Sequence, residues 1–120
     1  MNLVTVSQVQ GREPVTVLQL QDRLNMGNIA ELEKAAKEAY AAGGRYMVID
    51  LSKTPSLTSA GIRTILAIYK MLAGPDDKVR HLKLVSPTPY VREVLNIAGL
   101  LDYIEIYDSL DEAVASYKVE

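Results

Sequence analysis

Apolar residues alternate with polar ones in two runs near the start of the chain, residues 3–9 and 15–20, and Gly11 to Pro14 separates them. Alternation with a period of two predicts strands, and the glycine-containing turn predicts that they pair as a hairpin. A third run, Tyr46 to Leu51, is almost continuously apolar, which is typical of a strand buried on both faces of a sheet. Two shorter runs, residues 81–85 and 104–106, predict a fourth and a fifth strand.

Four other segments place apolar residues three and four positions apart, which predicts helices with one buried face. The predicted faces are Ile29, Leu32, Ala36 and Ala39; Ile62, Ile65, Leu66, Tyr69, Leu72 and Ala73; Val91, Val94, Leu95 and Ala98; and a segment from Ser109 to about Tyr117. A polar residue that can cap the first turn precedes each segment. The predicted caps are Asn28 with Glu31, Thr58 or Ser59, Thr88 before Pro89, and Ser109 with Glu112. Gly43-Gly44 and Gly99 are expected to end the first and third helices.

Strands and helices follow one another in the order β-β-α-β-α-β-α-β-α. Helical connections between the later strands predict right-handed crossovers and parallel pairing, while the opening hairpin adds an antiparallel edge. We therefore expect an α/β fold in a single domain over residues 1–120. The predicted sheet is mixed and mostly parallel, with about five strands and four α-helices.

The composition argues against several classes of function. The chain contains no cysteine, which excludes disulfides and thiol chemistry. Thirteen basic and fifteen acidic side chains give a net charge of −2 without a Lys/Arg cluster. This argues against nucleic acid as a partner, because such binding neutralises several phosphates at once. Since we find no charged-then-apolar leader and no apolar run near the ~20 residues of a membrane span, we expect a soluble, cytoplasmic protein without direct membrane insertion.

Candidate catalytic groups are few. His81, the single histidine, begins a predicted strand in opposite phase to its apolar residues, so we interpret it as a solvent-facing structural residue. Asp50 ends the buried strand, where it either binds a metal ion or, as we favour, accepts hydrogen bonds from the loop that follows. The sequence contains no phosphate-cradling, zinc-binding or nucleophile-elbow motif. We expect no enzyme activity, no cofactor and no metal.

Ser59 stands where the buried strand, a polar loop and the second helix meet. As a helix cap, Ser59 or Thr58 contributes about 1 kcal/mol to stability and nothing more. As an exposed hydroxyl at a helix N-terminus, Ser59 also suits phosphorylation, because the positive end of the helix dipole tolerates a phosphate. Gly61 slightly favours the functional interpretation, since glycine in a first turn costs helix stability and usually marks the close approach of another chain or of a backbone segment.

The second helix carries further apolar surface away from its predicted core face, at Thr64, Ile68 and Met71. Packing considerations favour cover by the loop from Gly74 to Val79. The alternative is a patch that binds a protein partner, with Ile68 and Met71 exposed beside a polar rim.

Two segments resemble the STAS domain, the family of anti-sigma factor antagonists. The run VIDLSKTPSLTSAGIRTIL, residues 48–66, looks like the family's strand, loop and serine-containing helix start. The run LVSPTPYVREVLNIAGLLDYIEIYDSLDEAV, residues 84–114, is similar to its later strand, its helix ending in Gly-Leu and its closing helix. The resemblance implies a compact α/β domain that binds a serine kinase anti-sigma factor when unphosphorylated. Phosphorylation of its serine ends that binding, and a serine phosphatase restores it.

Carried over by position, the acceptor serine is Ser59, followed by Ala60 and Gly61. Thr58 replaces the acidic residue that often precedes the acceptor, and it is an alternative acceptor. Asn25 replaces the aspartate of a Gly-x-Leu-Asp run and keeps its hydrogen-bonding shape without its charge. The partner contacts expected on this basis are Asn25, Thr58, Ser59, Ala60, Gly61, Arg63, Ile68 and Met71.

Two other functions are alternatives. Some STAS proteins resemble adaptor subunits that dock on the ATPase of a lipid-transporting ABC system, in which case phosphorylation is dispensable and Ile68 or Met71 matters more. An enzyme or nucleotide-binding domain is the third hypothesis, and the missing motifs argue against it. We expect a monomer or a weak homodimer.

Overall fold

A computed structural model describes residues 3–11, 14–73 and 81–117 of the chain. Its strands are β1 (Val4–Gln10), β2 (Pro14–Leu20), β3 (Met47–Asp50), β4 (Leu82–Val85) and β5 (Glu105–Tyr107). Its helices are α1 (Ile29–Ala41), α2 (Ser59–Ala73), α3 (Pro89–Ile97) and α4 (Leu110–Ser116), with a short 3-10 helix at Leu100–Asp102. No helix in these described ranges is long and apolar enough to cross a membrane.

The five strands form one sheet in the order β1-β2-β3-β4-β5. β1 and β2 pair antiparallel as a hairpin, whereas the remaining neighbours pair in parallel. The register sets Met47 of the central strand β3 beside Thr16 on one side and Leu82 on the other. The predicted α/β fold, with its antiparallel edge and parallel later strands, is confirmed.

Side chains that alternate along the strands divide the core between the two faces of the sheet. One face, here called the three-helix face, packs against α1, α2 and α3. Its main strand residues are Leu18, Leu20, Met47, Ile49, Leu82 and Leu84. The other face, here called the α4 face, carries Val15, Val48 and Val85 and packs against α4. The sheet therefore contributes to two separate clusters of buried residues.

Two predicted helix caps are confirmed. The hydroxyl oxygen of Thr88 accepts a hydrogen bond from the backbone N–H of Val91 at 3.2 Å at the start of α3. At the start of α4, Ser109 Oγ accepts from the backbone N–H of Glu112 at 3.2 Å and lies 3.1 Å from Glu112 Oε1. Local sequence was sufficient for these ends, because all partners lie within one turn.

Glycines end two helices as predicted. Gly43 after α1 and Gly99 after α3 adopt positive φ angles of 102° and 81°, which side chains rarely tolerate. Gly44 meets a different constraint, since a Cβ there would lie 2.9 Å from the carbonyl oxygen of Ala39. The turn that leads from α1 into β3 therefore depends on both of its glycines.

The predicted cap of α1 is wrong. Asn28 stands at the cap position, but its side chain makes no capping hydrogen bond. Its Oδ1 accepts from the backbone N–H of Asn25 at 2.9 Å, and its Nδ2 donates to the carbonyl oxygen of Arg23 at 2.8 Å. The Glu31 carboxylate accepts from the backbone N–H of Leu3 instead of closing a capping box. Both side chains thus hold segments outside the helix.

The buried face of α2 also differs from the predicted one. Of the predicted face, three residues are buried: Ile65, Tyr69 and Leu72. Ile62 and Leu66 are only partly buried against the same cluster. Leu66 is therefore a weaker core position than the helical spacing indicated.

Thr64 and Ile68 were predicted to lie away from the core, and that prediction is wrong. Their exposed fractions are 6% and 3%. The reason is that α1 packs against α2 on this side, which the pattern within α2 alone does not indicate. The other predicted cover, the loop from Gly74 to Val79, lies outside the described residues.

Candidate functional site

The start of α2 lies against the loop between β2 and α1. The backbone N–H of Leu24 donates to the carbonyl oxygen of Ser56 at 3.0 Å, and the N–H of Thr58 donates back to the carbonyl oxygen of Leu24 at 3.0 Å. These bonds join two loops, residues 21–28 and 51–58, which we call the loop pair. Because backbone groups make the junction, its geometry does not depend on flexible side chains.

Gly61 allows α2 to approach the loop pair closely. A Cβ at this position would lie 2.9 Å from Cγ and Cδ2 of Leu24 and 3.3 Å from its carbonyl oxygen. Leu24 is fully buried and its backbone pairs with Leu57, so moving its side chain aside would disturb packed neighbours. The predicted close approach at Gly61 is therefore confirmed, and Leu24 of this same chain makes it, which gives the glycine a packing role.

Thr58 and Ser59 have different roles at the start of α2. Thr58 is the N-cap: its Oγ1 lies 3.5 Å from the backbone N of Gly61, and its carbonyl oxygen accepts from Ile62 at 3.0 Å. Ser59 is the first helical residue and is exposed. Within the described ranges its hydroxyl makes no hydrogen bond, and the amides of Ser59 and Ala60 donate none. An exposed hydroxyl thus lies at a helix end that attracts negative charge.

Asn25 shapes the tip of the loop between β2 and α1. Its Oδ1 accepts from the backbone N–H of Gly27 at 2.8 Å. The turn presents Met26 to solvent with 76% of its surface exposed. Hydrophobic periodicity does not single out Met26, and the only local signal is its position between two turn-forming residues. Met26 is therefore a candidate contact residue that the sequence analysis missed.

A groove of about 410 Å³ lies between α1 and α2 and extends to Ala60. Its lining residues are Ile29, Glu33, Ala36, Lys37, Ala60, Arg63, Thr64, Ala67, Ile68 and Met71. Lys37 and Glu33 form an exposed ion pair at 3.0 Å. The groove brings four predicted contact residues to one surface next to Ser59: Ala60, Arg63, Ile68 and Met71. Ile68, however, is a buried lining residue and not an exposed patch.

Asp50 and His81 have structural roles. Asp50 Oδ1 accepts from the backbone N–H of Ser52 at 2.9 Å, which confirms the favoured interpretation, and its Oδ2 also accepts from Gln19 Nε2 of β2 at 3.2 Å. The His81 ring packs 4.7 Å from the Tyr46 ring and is only partly exposed, so the predicted solvent-facing position is wrong. In the part of the chain that the structure describes, no group of three or more His, Cys, Asp or Glu side chains could hold a metal ion.

The mixed sheet, the loop pair and the exposed serine at the start of α2 define a small α/β domain that presents a hydroxyl at a helix N-terminus. The family model described as the STAS domain matches residues 7–113. The chain therefore belongs to the STAS domain family.

Comparisons with individual proteins agree with this assignment. BtrV of Bordetella bronchiseptica, provisionally named an anti-sigma factor antagonist, is 32% identical over 99 residues, or 82% of this chain and 83% of BtrV. A Thermotoga maritima crystal structure with the same provisional description is 25% identical, with a TM-score of 0.82 over 94% of this chain and 92% of that chain. Bacillus SpoIIAA in its phosphorylated form shares the fold, with a TM-score of 0.70 at 16% identity over 96% of this chain and 99% of that chain. The similarities confirm the predicted family and support anti-sigma factor antagonist function.

Proposed function

We propose that this protein is an anti-sigma factor antagonist that binds a serine kinase anti-sigma factor when Ser59 is unmodified and loses that partner when Ser59 is phosphorylated. The kinase transfers a phosphoryl group from ATP to Ser59 Oγ, and a serine phosphatase removes it. The observation that carries the proposal is the exposed Ser59 hydroxyl at the first residue of α2, on a frame fixed by backbone hydrogen bonds. The domain itself acts as a binding partner and catalyses no step.

We assign the residues of the proposed contact surface by the solvent exposure of their side chains. Residues whose side chains reach solvent there are Asn25, Met26, Thr58, Ser59, Arg63 and, partly, Met71. Ala60 and Gly61 are buried, so they contribute by letting α2 sit close to the loop pair. Ile68 contributes in the same indirect way, as part of the wall of the groove.

A phosphate at Ser59 has opposite consequences inside the domain and across an interface. Inside the domain, the free amides and the dipole at the start of α2 stabilise the charge, so the fold is retained. Across an interface, the dianion must lose water or face partner carboxylates. A loss of about 2 to 4 kcal/mol, or roughly 30- to 1,000-fold in affinity, is the expected order.

The first test is mass spectrometry of the protein purified from its own host at several growth stages. Trypsin releases the peptide from Thr54 to Arg63, and fragmentation of this peptide distinguishes Ser59 from Thr58. We expect one phosphate, located on Ser59, that disappears in Ser59→Ala and persists in Thr58→Ala. A phosphate on Thr58 alone would overturn the assignment of the acceptor.

The second test captures partners with the unmodified protein and with Ser59→Asp. We expect a serine kinase to bind the parent and Ser59→Ala, and to be lost with Ser59→Asp. The matched control is Ser52→Asp, which adds the same charge at an exposed position of the other end of the same loop. Absence of phosphate in the host, with a transporter ATPase captured instead of a kinase, would contradict the proposal and establish the adaptor function.

A further inference from the structure

Arg63 is a cation one helical turn beyond Ser59, and it has no local carboxylate. Within the described ranges its side chain makes no ion pair and no hydrogen bond. Arg23, Lys37, Lys83 and Arg92 have carboxylate partners there, whereas Arg63 shares its lack of an ion pair with Lys34, Arg45, Lys53 and Lys70. The first turn of α2 contains no acidic residue. The Arg63 guanidinium is therefore available to pair with a negative charge added to the first turn of α2.

Helix geometry directs the Arg63 side chain toward Ser59. Residues four apart on a helix are neighbours, with Cβ atoms about 5–6 Å apart. Long helical side chains also lean toward the N-terminus and cover the turn that precedes them. With this spacing and direction, the Arg63 guanidinium would reach a phosphate on Ser59 Oγ without a change in the backbone.

We propose that Arg63 is the residue of this domain that binds the Ser59 phosphate, so that modification creates a phosphoserine–arginine ion pair along α2. This inference rests on the proposed function, which makes Ser59 the acceptor. Arginine suits the role because its planar guanidinium donates two parallel hydrogen bonds to phosphate oxygens.

The ion pair extends the effect of phosphorylation to the groove, since Arg63 also lines it. In the unmodified domain Arg63 offers an unpaired cation at the rim, suited to a carboxylate on the partner. After phosphorylation that cation is occupied, and the phosphate adds negative charge beside it. A partner carboxylate would then meet repulsion where it previously met Arg63.

Other charged groups surround the start of α2 and have to be distinguished from Arg63. The loop pair carries Asp22 and Arg23, which approach one another at 3.9 Å, and Lys53. Across the groove, α1 contributes the paired Glu33 and Lys37. Arg23 is the strongest competitor for the phosphate, because it lies next to Leu24 at the junction with α2.

The experiment installs phosphoserine at position 59 during synthesis and follows the phosphate pKa by phosphorus NMR. Because an adjacent cation favours the dianion, Arg63→Gln should raise that pKa by about 0.15 to 0.4 unit at low salt. The shift should shrink in high salt, as expected for an exposed pair. Arg63→Lys should keep part of the effect, since it keeps the charge but loses the planar fork.

Lys70→Gln is the matched control on the same helix. Lys70 is exposed and stands eleven residues beyond Ser59, or roughly 16 Å along the axis at about 1.5 Å per residue, so its removal should leave the phosphate pKa unchanged. Denaturation of each variant checks that the fold is intact. An Arg63→Gln shift no larger than that of Lys70→Gln would overturn the proposal, and so would an equal or larger shift in Arg23→Gln.

This result does not depend on any kinase, since the phosphate is built in. If the host protein carries no phosphate on Ser59, the proposed function fails whatever the NMR titration gives. If the host protein is phosphorylated and Arg63→Gln has no effect, only the role of Arg63 fails.

Discussion

The two faces of the sheet are covered in different ways. The three-helix face buries no charged side chain among the described residues, and its apolar cluster includes residues from the sheet and three helices. The α4 face is covered by one short helix, and it buries a charged side chain, Lys83, which is 5% exposed. A polar residue is tolerated on that face only because α4 and β5 bring partners to it.

Lys83 shows how this is achieved. Its Nζ lies 3.1 Å from Glu105 Oε1 and 2.5 Å from Ser116 Oγ. It also stands 4.4 Å from the ring centre of Tyr117 and 5.3 Å from that of Tyr107, within reach of a cation–π interaction. The ammonium is thus surrounded by acceptors and ring faces, as a buried charge requires.

Tyr117 fixes the end of α4 against the amino ends of the central strands. Its hydroxyl lies 2.7 Å from the carbonyl oxygen of Met47 and 2.6 Å from that of His81. Burial, and to a lesser extent the charge of Glu105, raises the pKa of this hydroxyl. Ser59, by contrast, follows the carboxyl end of β3. The buried polar cluster and the proposed switch therefore lie toward opposite ends of the sheet, so charge at one should leave the other intact.

The largest expected effect is a cavity in the three-helix face. Ile65→Ala should lower the free energy of unfolding by about 2 to 5 kcal/mol, because Ile65 is fully buried. Leu66→Ala is the control in the same helix turn, and we expect it to cost less than half as much, since Leu66 is only partly buried. Urea denaturation followed by circular dichroism measures both, and a larger cost for Leu66→Ala would contradict the observed orientation of α2.

On the α4 face, we expect removal of Glu105, the more exposed member of the ion pair, to cost more stability than replacement of the buried Lys83. Glu105→Gln should cost about 2 kcal/mol, because it leaves the buried Lys83 ammonium without a carboxylate. Lys83→Met should cost about 1 kcal/mol or less, since it keeps the volume and leaves only Glu105, whose side chain is 45% exposed and can be hydrated.

Glu93→Gln serves as the control for that pair. Glu93 is exposed on α3 and makes no ion pair within the described ranges, so its change should stay within about 0.5 kcal/mol. Urea denaturation of the three variants under one condition compares the costs. If Lys83→Met were more costly than Glu105→Gln, an unpaired buried ammonium would not be the main source of instability on this face.

The raised pKa of the Tyr117 hydroxyl predicts a loss of stability at alkaline pH. The unfolded chain releases the Tyr117 proton near its ordinary pKa of about 10, while the folded chain keeps it. Above pH 10 the unfolded state therefore binds fewer protons, and the free energy of unfolding falls by up to about 1.4 kcal/mol per pH unit. Tyr117→Phe should start from a lower stability at pH 8 but show a shallower decline. Parallel declines in the two proteins would refute this origin.

Sequence patterns predicted what local interactions determine. The hairpin, the order of strands and helices along the chain and the caps at Thr88 and Ser109 depend on neighbouring residues or on local periodicity, and they were confirmed. The patterns failed where the partner is distant in the chain, as with Glu31 bonded to Leu3 and Ile68 covered by α1. Lys83 was missed for the same reason, since only the folded chain brings Glu105 and α4 to it.

At the start of α2, the Thr58 hydroxyl makes a local capping interaction, whereas the adjacent Ser59 hydroxyl makes no hydrogen bond in the described ranges. Thr58→Ala removes the cap of α2 and should cost about 0.5 to 1 kcal/mol, toward the low end because the capping distance is 3.5 Å. Ser59→Ala should change stability by less than about 0.3 kcal/mol, since the Ser59 hydroxyl is exposed and has no hydrogen bond in the described ranges.

The two substitutions should rank the other way in their effect on phosphorylation, where Ser59→Ala has the larger effect. Ser59→Ala should abolish phosphorylation while leaving the kinase bound, whereas Thr58→Ala should remain a substrate. Urea midpoints and phosphate incorporation, measured on the same two preparations, separate cap from acceptor. A protein in which Ser59→Ala is the less stable variant and Thr58→Ala the unphosphorylated one would require both roles to be exchanged. In that case Thr58, and not Ser59, would be the phosphate acceptor that the loop pair positions.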